Sequence, residues 1–209
     1  MSSKYDGCEG RSGMRLASIV EGHGEVDALP ELVRRIAYHL GIFELNILRP
    51  IRIHRNQFFV GSPGLQRAVR LAASRVGSNG AILVLFDADD DCPAELGPAL
   101  RASLEPVAAV PIAVVMANRE FEAWFLASID SLRGYRGLPE NATPPANPEA
   151  VRGAKEVLRN LFGPSRDYRE SVDQVALVHR MDLSLARQRS DSFDKLWREV
   201  RRLLLGERT

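Results

Sequence analysis

The chain has 209 residues, which suits one domain, or one domain with a sizeable extension. Apolar residues make up 45% of it, which supports a real core and excludes global disorder. The net charge is +1, so bulk charge gives no case for nucleic-acid binding, and two cysteines, Cys8 and Cys92, are too few for a disulfide framework.

Charge is unevenly placed. Residues 1–150 carry 15 Lys+Arg against 18 Asp+Glu, whereas residues 151–209 carry 13 against 9. No apolar run reaches the roughly 18 residues of a membrane span, and the polar, glycine-rich residues 1–13 do not form a signal peptide. The expectation is a bacterial-type cytoplasmic protein with no membrane partner. Residues 1–13 read as a flexible leader, with Met14 a candidate for the true start.

Residues 15–20 (RLASIV) form a short apolar run that fits a buried strand. Residues 25–41 place Leu29, Leu32, Val33, Ile36, Ala37 and Leu40 at helical spacing, with Gly41 as C-cap. Residues 45–53 alternate as a strand, but Pro50 argues for an edge position or a bulge. A helix is expected over 63–76, starting near Pro63. Residues 80–86 (GAILVLF) and 110–117 (VPIAVVMA) lack polar alternation, as in parallel strands covered on both faces. Helices are expected over 94–105 and 119–132. In the second, Phe121, Trp124, Phe125 and Ile129 share a face suited to core packing. This βαβα order predicts a three-layer α/β fold around a mostly parallel four-stranded sheet, over residues 14–132. Residues 133–149 are rich in Gly, Pro and Asn and read as a linker. Beyond it the pattern is helical, over about 150–162, 168–179, 182–189 and 192–205, giving a helical extension (150–209) packed on the core.

Three acidic clusters fall at the C-terminal ends of predicted strands: Glu21 with Glu25; Asp87 with Asp89, Asp90 and Asp91; and Glu120 with Glu122. In a parallel α/β sheet these ends share one edge, where ligands bind. Carboxylates crowded there raise one another's pKa values, and a hard divalent cation is the natural compensation. Mg²⁺ or Mn²⁺ suits oxygen ligands drawn from several segments. Taken singly, Glu25, Glu120 and Glu122 also fit first helical turns, where acids favour the dipole. Glu21 and Asp87 directly abut apolar strands and are harder to assign to that role.

Other motifs fail. "GHGEVD" has Asp27 where a dinucleotide-binding loop needs its third glycine, and no G-x-x-x-x-G-K-[ST] exists. An EF-hand starting at Asp87 would need Gly and Glu where Cys92 and Pro98 stand. His23, His39, His54 and His179 show no zinc-ligand spacing.

A strand ending in Glu-Gly ("VEGHGE") and a later strand ending in Asp-x-Asp ("FDADDD") resemble the Toprim fold, and the E-G-x-x-E form is similar to its OLD-type nuclease branch. With "ANREFEAWFLA" and the late "RSDSF", the chain after Met14 resembles, more narrowly, the bacterial Toprim-like domain-of-unknown-function family 4276. The resemblance implies a metal-dependent phosphodiester hydrolase (a nuclease) or related phosphotransfer enzyme. Glu21 would bind metal or handle protons, Asp87 and Asp89 would hold Mg²⁺, Glu25 would be the loop's second acid, and Glu120 or Glu122 an added ligand. Nucleic acid and a separately encoded ATPase, in defence or repair, are the partners implied. A cation should touch the phosphate, and Arg55, Arg119 and Lys155 are the candidates. Lys155, Arg152 and Arg159 are expected on one basic helical face. Two alternatives stay open: a non-catalytic Toprim-like binding module, and a HAD-like phosphatase with Asp87 as nucleophile.

Overall fold

A computed structural model describes residues 13–163 and 166–207 of the chain. Apart from Gly13, the expected leader lies outside the described residues.

The expected strands form, and each pairing among them is parallel. β1 (Met14–Val20) lies at the centre with β4 (Gly80–Asp87); β5 (Ile112–Ala117) flanks β4, and β2 (Leu45–Ile47) flanks β1. The run expected as one strand over 45–53 is two short ones on the same edge of β1, because β3 (Ile51–Arg52) follows β2 after a break. Pro50 has no N–H to give to the ladder, which explains the break. Leu48 and Ile53 keep the register by donating to the carbonyls of Leu16 (2.8 Å) and Val20 (3.0 Å).

Apolar runs without alternation require two covered faces, and that is what they receive. α2 (Pro63–Val76) and α3 (Pro93–Ala108) cover one face with Ile82, Val84 and Phe86 beneath them. α1 (Glu25–His39) covers the other, over Leu83 and Leu85. Both crossovers on the β4–β5 side use the first face, so beyond the reach of α1 the second face of β4 and β5 is left to later helices. α8 (Asp191–Leu205) fills that place, burying Phe193, Leu196, Val200, Leu203 and Leu204 in the same core as α1. α6 (Glu170–Arg180) packs along α1, and α5 (Ala154–Phe162) and α7 (Leu183–Arg189) complete the layer.

Two helical expectations change. The helix expected over 119–132 shrinks to α4 (Ala123–Ala127) and a following 3-10 turn (Ile129–Leu132). Arg119 adopts φ +64°, a left-handed conformation incompatible with a helix start, and the chain bends round the end of β4 first. The aromatic side chains of that segment are core, as their spacing indicates: Phe121, Trp124 and Phe125 are all buried. Likewise α5 begins only after Gly153, at φ +67°. Arg152 therefore stands outside the helix, and the expected common basic face does not form. Arg152 pairs with Asp90 (2.8 Å), Lys155 with Glu170, and Arg159 with Glu156 (2.5 Å).

Residues 133–149 are irregular but well anchored, with Leu138 and Ala142 buried in the core. Glu149 ties this segment to the start of α8: its carboxylate accepts from Ser190 Oγ (2.6 Å), Ser192 N–H (2.8 Å) and Asn118 Nδ2 (3.2 Å).

Candidate functional site

Chain direction reverses between β1 and β4: β1 leads leftward through α1 to β2, whereas β4 leads rightward through α3 to β5. The crevice beyond the carboxyl ends of two such strands is where doubly wound sheets bind ligands. Val20 is in register with Leu85, so Glu21 and Asp87 emerge side by side at this point. They line one cleft of about 260 Å³ together with Glu25 and Glu122. Arg52, Arg55 and Lys155 supply its cations, and Glu170 and Gln174 of α6 close it.

The loop after β1 is shaped by close approach. Glu25 turns back so that its Oε2 accepts the Gly22 N–H at 2.7 Å. A Cβ on Gly22 would stand 2.6 Å from that carboxylate. A Cβ on Gly24 would stand 2.2 Å from Gln174 Oε1 and 2.9 Å from the Glu170 carbonyl. The two glycines thus admit a carboxylate and a helix, and the loop cradles no phosphate through a lysine.

Asp87 is held from the other side by the bend that shortened α4, since its Oδ1 accepts the Phe121 N–H at 2.8 Å. The next turn places Glu122, buried, where it accepts from Tyr168 Oη (2.9 Å) and Gln174 Nε2 (3.0 Å). Both donors come from the C-terminal third of the chain, so the extension helps to build the cleft wall.

The remaining candidates are placed differently. Asp89, at φ +51°, turns its carboxylate to Arg55 (3.1 Å from Nε), and its N–H donates to the carbonyl of Arg119 (3.0 Å). Two adjacent loops are thus joined by two left-handed non-glycine residues, a strained arrangement of the kind concentrated at functional sites. Arg119 pairs with Asp90 (3.1 Å) and, with Glu120, lines a neighbouring hollow of about 150 Å³ rather than the cleft. Glu120 caps α5, accepting the Lys155 N–H at 2.7 Å. Lys155 does reach the cleft, where its ammonium pairs with Glu170.

Electrostatics follow from this crowding. Burial first, then the Glu25, Glu122 and Glu21 carboxylates, push the Asp87 pKa well above the ordinary aspartate value. Burial, and then Glu122, Glu21 and Glu170, raise Glu25 to about 7. Burial also raises Glu122 against the hydrogen bonds from Gln174 and Tyr168, and raises Glu21 against the pull of Arg55. A cluster of this kind holds protons near neutral pH or recruits positive charge.

Among the described residues, no three Asp, Glu, His or Cys side chains are gathered about one point as a bound metal ion needs. The donor chemistry nonetheless fits a hard cation. Glu21, Glu25, Asp87 and Glu122 offer carboxylate oxygens into one cleft, and Glu21 Oε2 is buried without a hydrogen-bond partner.

Sequence reasoning missed Glu170, Gln174, Arg52 and Tyr168. Glu170 opens a predicted helix, but nothing in its spacing connects it to Glu25, 145 residues earlier. Only the docking of α6 on α1 does so.

Fold and site define a doubly wound α/β protein with an acidic cleft at its topological switch point. The chain belongs to the family described as Domain of unknown function (DUF4276), whose model matches residues 20–201. Comparison with curated proteins and with solved structures gave no match. No helix among the described residues is long and apolar enough to cross a membrane.

Proposed function

We propose that the protein is a Toprim-like, Mg²⁺- or Mn²⁺-dependent phosphodiester hydrolase (a nuclease) or a related phosphotransfer enzyme, of the OLD-type branch. The observation that carries this reading is the meeting of Glu21 and Asp87, from the two central strands, in a cleft that also holds Glu25, Glu122 and three cations. Glu21 and Asp87 would hold the ion, joined by Asp89 once Arg55 no longer holds it, with Glu25 and Glu122 beside them. A bound divalent ion stabilises charge on the phosphoryl oxygens and lowers the pKa of water. Lys155 and Arg52 supply positive charge to orient a phosphodiester. Glu25, protonated in part near neutrality, can hold or release a proton at its carboxylate. Nucleic acid is the substrate class that this chemistry favours, and a separately encoded ATPase is the proposed partner.

A second reading is a non-catalytic binding module. It is favoured by one observation: Arg55 already neutralises Asp89 and Asp91. The two readings separate in one assay. End-labelled single- and double-stranded DNA and RNA are incubated with Mg²⁺ or Mn²⁺, with EDTA as control. Metal-dependent cleavage, lost in Asp87→Asn, supports the enzyme. A folded protein that binds oligonucleotide without cutting any of them supports the module.

A further inference from the structure

Arg55 opens the short turn after β3, Arg55–Gln57. Its guanidinium is caged by three carboxylates. Nε lies 3.1 Å from Asp89 Oδ2 and 3.8 Å from Glu21 Oε2, and Nη2 lies 2.5 Å from Asp91 Oδ2. Below it the Phe86 ring offers its face at 5.4 Å, and Phe58 stacks on that ring at 4.5 Å. The side chain is about 29% exposed, so the cage opens to the cleft rather than into the core.

This cage is incomplete in one respect. At 3.8 Å the contact with Glu21 is coulombic and not a hydrogen bond. Glu21 Oε2 is buried and has no other partner. Arg55 therefore supplies Glu21 with charge while leaving its directional need unmet. A small cation that coordinates oxygen directly would meet both. The guanidinium and that cation cannot both use Asp89 Oδ2, and they compete for the charge of Glu21.

We propose that Arg55 is a built-in counter-ion that a divalent cation displaces, and that the released guanidinium becomes the anchor for the substrate's phosphate. The inference rests on the metal-dependent reading above. A planar fork of N–H donors suits phosphate oxygens as well as carboxylates. Exchange of partners makes the two ligands cooperative: the ion frees the donor that the phosphate needs, and each tightens the other's binding. Asp91, which ligates nothing in the proposed site, then has a role as the holding partner of Arg55 in the ion-free state.

Two measurements on the full chain test this. Calorimetric titration with Mn²⁺ should show Arg55→Gln binding the ion about fivefold to tenfold more tightly than the parent, because the competitor is gone. In ¹⁵N-edited spectra, the Arg55 Nε–H signal should shift as Mg²⁺ is added, in step with ion binding. If the parent binds Mg²⁺ while that signal stays fixed, and Arg55→Gln binds Mn²⁺ with unchanged affinity, displacement is overturned and the metal reading stands. If neither protein binds either ion, both readings fall together.

Discussion

Glu21 and Asp87 stand side by side across the β1–β4 seam, one residue beyond Val20 and two beyond Leu85, which are in register. Glu21 directly follows β1 and Asp87 ends β4, strands that are buried apart from Arg15, so neither backbone position can shift without unpairing the centre of the sheet. The site is thus held by the stiffest part of the fold, and its like charges persist as a local cost.

That cost predicts a trade between stability and activity at Asp87. Asparagine keeps the acceptor for the Phe121 N–H and removes a charge that Glu25, Glu122 and Glu21 oppose. Asp87→Asn should stabilise the metal-free protein by about 1–2 kcal/mol at pH 8. Differential scanning calorimetry should register a rise of about 3–6 °C in Tm. A lower Tm would show that Asp87 is a stabilising partner and not a strained one.

Glu25 sets a pH dependence whose sign is fixed. Its pKa rises from 4.5 unfolded to about 7 folded. Between those values the unfolded chain loses the proton that the folded one keeps, so stability falls as pH rises through this window. Glu25→Gln escapes that loss. Its stability relative to the parent should be flat below pH 4.5 and should improve by about 3 kcal/mol by pH 8. Urea denaturation of both proteins across this range checks it; parallel pH profiles would mean that Glu25 ionises freely.

Gly24 is required by the α6 backbone and not by its own torsion angles. A methyl group there meets the Glu170 carbonyl at 2.9 Å, and a carbonyl in a helix cannot step aside. Gly24→Ala should cost about 1–3 kcal/mol and loosen α6. Hydrogen exchange should quicken along Glu170–Arg180 before it quickens in the sheet. Unchanged protection in α6 would place the strain elsewhere.

Glu120 separates a capping role from a metal role. Its carboxylate caps α5, so Glu120→Ala should cost about 1 kcal/mol in stability. The same variant should leave Mn²⁺ affinity within about twofold of the parent, since Glu120 does not line the cleft. A large loss of affinity would assign Glu120 to the ion after all.

The strands and the acidic edge were legible because both signals are local. ILVLF followed at once by Asp87 is a buried strand and a carboxylate at its end, whatever the rest of the chain does. The short α4 was not legible, since its spacing is helical from residue 119 onward and nothing in it marks the left-handed Arg119 or the turn that follows. The distinction between Glu120 and Glu122 was hidden for the same reason. Two residues apart, they face opposite ways: one caps α5, and the other enters the cleft beneath Tyr168. Glu170, Gln174 and Tyr168 come from helical sequence with no mark of chemistry, and they reach the cleft only through tertiary docking.

The central claim is that Glu21 and Asp87 together hold a divalent ion, and calorimetric titration with Mn²⁺ tests it most directly. Glu21→Gln and Asp87→Asn, each folded by circular dichroism, should lose at least about tenfold in affinity relative to the parent. Affinity equal to the parent's in both variants would contradict the claim.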